Sequence, residues 1–215
     1  MKTFLILLTL VCSTTSHLFS QVDRYTTSGG ELIFSNSDYS GGKAIRFSPV
    51  VNIQNHAHFD FSESLGVFTG LSVRNVGLIY DESESIRKKA RTYNLGIPVA
   101  IKFGQMNAVF FYAGYEIEFP LSYKEKTFVN EAKEDKFNTW FSGRTPGAYH
   151  TVMAGIQFPY GANLKFKYYL TPFYDKDYDA SDPNGNPIVY PEVNVYYLSL
   201  SFMLFRNTTV YYLEE

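Results

Sequence analysis

Only one of the 215 residues is cysteine, Cys12, so no disulfide can form within the chain. An exported domain built this way is held by packing and strand pairing alone. Basic and acidic residues nearly cancel, 19 against 21, which excludes a strongly basic nucleic-acid binder and a polyacidic tail protein. Beyond residue 20 no apolar run approaches the roughly 20 residues that a membrane-spanning helix needs. Helical periodicity is missing as well. A membrane location then leaves only a closed β-barrel, the one other spanning structure that satisfies every backbone group. What the sequence does hold is aromatic: 18 Tyr and 19 Phe beside a single Trp, with 15 Gly. That mixture favours strands.

The first residues read as an export signal. Lys2 supplies a positive start, Phe4 to Cys12 is a short apolar run, and Ser20 precedes a cleavage point at Gln21. Val11 is too large to precede a lipidated cysteine, which argues against Cys12 as a lipid anchor. The expected domains are a signal peptide over 1–20 and one barrel domain over 21–215.

Alternation runs through the rest. In YNLGIPVAIKFG, Tyr93, Leu95, Ile97, Val99, Ile101 and Phe103 share one face, and Asn94, Gly96, Pro98, Ala100, Lys102 and Gly104 the other. The next segment repeats the pattern: Val109, Phe111, Ala113, Tyr115, Ile117 and Phe119 oppose Ala108, Phe110, Tyr112, Gly114, Glu116 and Glu118. Further strands are expected at Glu31–Asn36, Ile45–Phe61, Leu65–Ile79, Tyr149–Phe158, Asn163–Phe173 and Val193–Phe205, about eight in all by period-2 alternation. Connections alternate between short (Ser62–Ser64, Gly104–Asn107, Pro159–Ala162) and long (Tyr80–Thr92, Ser122–Ala148, Tyr174–Glu192). Asp81 to Arg91 is read as loop, with a turn of helix at most.

These features predict an all-β fold: an eight-stranded antiparallel up-and-down transmembrane β-barrel with short periplasmic turns and long external loops. One face is nearly all Leu, Ile, Val, Phe and Tyr. The other combines Gly66, Gly70, Gly96, Gly114 and Gly155 with Arg46, Arg74, Lys102, Glu116, Glu118, Lys165 and Lys167. Small residues with charges suit a narrow, side-chain-filled interior, which turns the apolar face toward lipid. A soluble lipocalin-like ligand-binding barrel inverts that arrangement.

The signal peptide, YNLGIPVAIKF followed by a turn and VFFYAGYEIEF, then HTVMAGIQF, a turn and LKFKYYL resemble the PorT-like outer-membrane β-barrel domains of Bacteroidota-type bacteria. The resemblance implies an eight-stranded barrel in the outer membrane of a Gram-negative bacterium and no catalytic motif. Some members serve secretion and gliding machinery. The tail RNTTVYYLEE after Phe205 departs from barrels whose chain ends on a strand-terminal aromatic.

Arg74 and Glu116 fall at similar heights on the inner face, with Lys167 somewhat lower. Opposite charges confined there should pair, so a lumen charge cluster of Arg74, Glu116 and Lys167, joined by Glu118 and Lys165, is expected. His56, His58 and Asp60 share a strand face near a short turn, a donor set for zinc or copper, but no fourth ligand is evident and polar lumen lining is the simpler reading. The loop Asp175 to Asn186 alternates acids but lacks the sixth-position Gly and closing Glu of a calcium loop. His150, near Thr151, Ser142 and Arg144, shows no nucleophile–base–acid order. Lys124 to Arg144 mixes both charge signs, with Trp140 and Phe141 near its end, as a contact surface for polysaccharide headgroups or a protein would.

The expectation is a barrel with no catalytic centre, cofactor or metal and no nucleic-acid partner. Its role is structural or partner-binding, an accessory subunit of an envelope or secretion complex being one form of it. Its contacts are outer-membrane lipid, lipopolysaccharide and envelope proteins. A lipid-modifying enzyme, a narrow channel and the lipocalin-like barrel are the alternatives.

Overall fold

The computed structural model describes residues 22–40, 43–178 and 189–208. The signal-peptide reading, the acidic loop from 179 onward and the tail beyond 208 lie outside them. Eleven strands form among the described residues: β1 (Asp23–Ser37), β2 (Lys43–Ala44), β3 (Arg46–Ser48), β4 (Ile53–Asp60), β5 (Leu65–Asp81), β6 (Ile86–Gly104), β7 (Phe110–Val129), β8 (Ala132–Trp140), β9 (Tyr149–Gln157), β10 (Ala162–Tyr169) and β11 (Val195–Thr208). Eight of them, β1, β4, β5, β6, β7, β9, β10 and β11, pair in that order, and β11 pairs back onto β1. Every pairing is antiparallel. The sheet is therefore a closed up-and-down barrel, and closure removes the edges that an open sheet would expose.

Inside and outside follow the alternation. Along β6, Val99 and Ile101 are 57% and 58% exposed on the outer wall, while Lys102 between Ile101 and Phe103 is 0% exposed. Leu71 and Val73 on β5, Phe111 and Tyr115 on β7, Phe166 on β10 and Leu198, Leu200 and Phe202 on β11 continue the apolar outer band. This inverts the lipocalin-like arrangement, whose apolar side chains line the interior.

Four features go beyond the sequence reading. β1 begins at Asp23 rather than Glu31 and, with β11 continuing past Phe205, carries the seam from Tyr25↔Thr208 to Ser37↔Val195. The segment read as one strand over 45–61 is broken into β3 and β4, with β2 just ahead of it and Val51 at φ 61° in the break. Asp81 to Arg91 holds no helix: β5 and β6 run on as a hairpin to Asp81↔Arg87. Most of the expected loop 122–148 is also sheet, because β7 continues to Val129 and turns back as β8 through Asn130 and Glu131, whose φ values are 47° and 65°. Positive φ at both central residues matches strand twist in a two-residue hairpin. β5, β6, β7 and β8 thus extend the wall at the long-loop end, while 61–64, 105–109 and 158–161 close the other end.

A bulge changes which residues face out. Opposite Asn94↔Pro120 and Tyr93↔Ser122, β7 carries one extra residue, Leu121. Pro120 has no N–H to give the ladder, so a bulge is where it is tolerated. Below it Glu116 and Glu118 point inward. Above it Tyr123 points inward and is 1% exposed, and the even-numbered Lys124 and Lys126 share the outer face with Arg91 and Lys89.

Candidate functional site

The interior is filled in layers. At the long-loop end, Tyr80, Tyr123, Tyr149, Tyr169, Tyr174 and Tyr197 pack with Phe173 and Leu78 into an apolar cluster. Tyr149 donates its hydroxyl to the Phe173 carbonyl at 2.8 Å, tying the loop after β10 across the top. Near the short turns, Phe68, Ala100, Met106, Phe110, Tyr112 and Met153 form a second cluster.

Between them lies a charge network. The five expected residues come together there: Arg74 from β5, Glu116 and Glu118 from β7, and Lys165 and Lys167 from β10, each 2% exposed or less. A sixth, Glu31 of β1, completes the set. Arg74 donates through Nε to Glu31 Oε2 at 2.9 Å, and through Nη1 to Glu116 and, at 3.3 Å, to Glu118 Oε1. Lys165 reaches Glu31 Oε1 at 2.8 Å. Lys167 bridges Glu116 Oε2 and Glu118 Oε1, both at 2.5 Å. Three cations thus meet three carboxylates, and the set is neutral.

Neutral partners occupy the remaining positions. Ser72 donates to Glu116, while Asn94 and Tyr169 donate to Glu118 Oε2 at 2.8 and 2.6 Å. Ser199 donates to Glu31, and Gln54 Oε1 accepts from Arg74 and Lys165 at 3.3 Å each. Buried charges persist only when paired and hydrogen-bonded in this way. Gly96 makes the space: a Cβ there would collide with Glu116 Oε1 and Ser72 Oγ. The sequence reading missed Glu31 because it opens a strand read as short. The available signal was its lone carboxylate; in the barrel Glu31 lies in register with Ser201 on the closing strand.

Arg46 does not join. It was read as an inner-face charge, but the break around β3 resets the alternation, and its guanidinium donates to the Asn75 carbonyl at 3.2 Å and to Asn75 Oδ1 at 2.5 Å.

A smaller group lies nearer the short turns. Lys102 pairs with Asp60 and donates to Tyr25 Oη at 3.3 Å and His58 Nδ1 at 3.2 Å. With Nδ1 accepting, His58 Nε2–H donates to Thr27 Oγ1 at 2.9 Å. Of the residues weighed as metal ligands, His58 and Asp60 therefore spend their ligating atoms on a lysine and a threonine, and His56 stacks on Phe68 with ring centroids 4.6 Å apart. Beside this group a cavity of about 340 Å³ opens at the short-turn end, lined by Tyr25, His56, Phe68, Met106, Tyr112 and Arg206 among others.

His150 is exposed on the outer wall, its Nδ1 bonded to the Tyr115 hydroxyl. Thr151 faces the opposite way and donates to the Glu116 carbonyl at 2.7 Å. Arg144 donates to the Tyr190 hydroxyl at 2.8 Å, and Ser142 Oγ accepts from the Arg144 backbone N–H. These four residues form no relay.

No protein-family model and no curated protein matches the chain. Among solved structures, Ail, the attachment invasion locus protein of Yersinia pestis, in complex with the heparin analogue sucrose octasulfate, is similar over 87% of this chain and 100% of its own, at 14% identity and a TM-score of 0.44. Neisserial surface protein A is similar over 86% of this chain and 97% of its own, at 12% identity and a TM-score of 0.42. Likeness this distant says nothing of what this chain binds or does. The architecture rests on the chain's own strand pairing.

Proposed function

We propose that the chain is an integral outer-membrane β-barrel with a sealed interior, which serves as a rigid mount for the β5–β6 and β7–β8 hairpins at the cell surface. The observation that carries this is the inversion of the wall: apolar side chains outside, a neutral six-charge network inside. Water gives no reason to expose Ile97, Val99, Ile101 and Phe103 in a row; a bilayer does. From Tyr93 to Phe103 the apolar face runs roughly 33 Å along the strand, or about 25 Å along the normal at a tilt near 40°, the height of an outer-membrane apolar band.

Sealing argues against the channel reading. The tyrosine cluster, the ion-pair network and the lower aromatic cluster follow one another along the axis, and eight strands leave an interior that side chains can fill. We read the role as structural or partner-binding, with the His150 ring on the outer wall hydrogen-bonded to the Tyr115 hydroxyl. The PorT-like resemblance adds an accessory place in an envelope or secretion complex as the form that role takes.

Trypsin on intact cells tests the orientation. Cleavage is expected at Lys133 and Lys136 in the β7–β8 hairpin, with the barrel left intact. Cleavage there only after the cells are permeabilised would overturn the reading.

A further inference from the structure

The outer face of the hairpin extension is cationic in a way the barrel does not require. Lys89 on β6 lies opposite Lys126 on β7, which lies opposite Lys136 on β8. Next to that row Arg91 lies opposite Lys124. Like charges directly opposite one another weaken a sheet. None of these five takes part in an ion pair among the described residues, whereas the neighbouring Arg87 and Lys88 are paired with Asp81 and Glu82. Lys124 and Lys126 are held below the ordinary lysine range, first by lost hydration and then by Arg91 and the surrounding lysines.

Position gives the meaning. Arg91 sits two residues above Tyr93, where the apolar band of β6 ends, so the patch begins roughly 7 Å beyond the band along the strand. Tyr93 lies under Arg91, 5.3 Å from ring centroid to Cζ, and Trp140, 66% exposed, shares the face opposite Ser122. Apolar wall, aromatic rim and cations follow in the order of acyl chain, interface and phosphate in a lipid leaflet. The Leu121 bulge produces this, since unbroken alternation would turn Lys124 and Lys126 into the interior.

We propose that Lys89, Arg91, Lys124, Lys126 and Lys136 form a binding site for the phosphate groups of an outer-leaflet glycolipid whose acyl chains lie against the apolar wall below. A soluble polyanion is the rival occupant; it has no use for the wall. The inference rests on the outer-membrane reading and names the lipid that the barrel holds.

Trp140 is the chain's one tryptophan and stands at the site, so its fluorescence reports binding. The folded barrel is titrated in mixed micelles with bisphosphorylated lipid A and with its dephosphorylated form. A saturable change is expected with the first only. The variant Lys89→Gln/Lys126→Gln/Lys136→Gln should weaken it about tenfold or more, by loss of charge-assisted contacts. Lys126→Gln alone should weaken it several-fold, which keeps the test open if the triple variant does not fold. Equal responses to the two lipids, unchanged affinity in both variants, or displacement by soluble polyphosphate at equal phosphate concentration would overturn the site. Insertion into vesicles, followed by gel mobility with and without boiling, separates the two claims. A barrel that inserts without a lipid A response refutes the site alone, and a chain that never inserts refutes the membrane reading beneath it.

Discussion

Replacing Glu116 by Gln removes one carboxylate from a neutral set and leaves three cations facing two. Arg74 and Lys167 both spend hydrogen bonds on that carboxylate, and Ser72 donates to it as well. The glutamine keeps the volume but not the charge, and its amide N–H₂ turns donors toward two cations. With Arg74, Lys167 and Glu116 all within 1% of full burial, water does little to screen the change. Removing one partner of a buried pair costs about 3–5 kcal/mol. For a domain of this size that corresponds to a fall in melting temperature of roughly 6–20 °C. Reversible urea unfolding of the barrel in lipid vesicles measures the free energy, and the temperature at which the gel mobility shifts on heating gives a second reading. Glu116→Gln/Lys167→Met restores neutrality and should recover about half the loss or more, because coupled partners are not additive. A single variant within about 0.5 kcal/mol of the parent, or a double variant as weak as the sum of its parts, would show that the network does not hold the barrel together.

Further expectations follow from neighbouring residues. Glu31→Gln should cost as much as the Glu116 change, since among the described residues Glu31 is the carboxylate that pairs with both Arg74 and Lys165; unfolding midpoints decide it. Gly96→Ala should destabilise the barrel by about 1–3 kcal/mol, as its methyl group would displace the Glu116 carboxylate, and a fully native melting curve would contradict that. Ile101→Lys should cost about 2–4 kcal/mol in vesicles if the outer wall meets lipid; no loss there would mean that the wall meets water. His150→Ala should leave the unfolding free energy within about 1 kcal/mol, since it removes one exposed partner of Tyr115.

Much of this was legible because alternation in β6 and in the lower half of β7 is long and chemically one-sided. Lys102 among Ile101 and Phe103 already announces an inverted wall. Glu116, Glu118, Lys165 and Lys167 were readable as a group because unlike charges confined to one inner face have nowhere else to go. Glu31 was not, since Gly29 and Gly30 beside it weaken the strand pattern, and only pairing with β4 on one side and β11 on the other extends β1 back to Asp23. The β8 hairpin escaped notice for a different reason. Its run Ala132 to Asn138 is exposed on both faces, so no hydrophobic period marks it, and β-propensity there depends on the neighbouring strand. The Leu121 bulge shifts the facing of everything after it by one residue. A shift of that kind exists only relative to a partner strand and cannot be seen along the chain.

The central claim is a closed barrel embedded in the outer membrane, and the direct measurement is made on cells that produce the full chain. Membranes are washed with alkaline carbonate, extracted in detergent, and run on a gel with and without boiling. The account predicts that the protein stays with the outer-membrane fraction and migrates differently once boiled. Release into the carbonate wash, with the same mobility under both conditions, would contradict it.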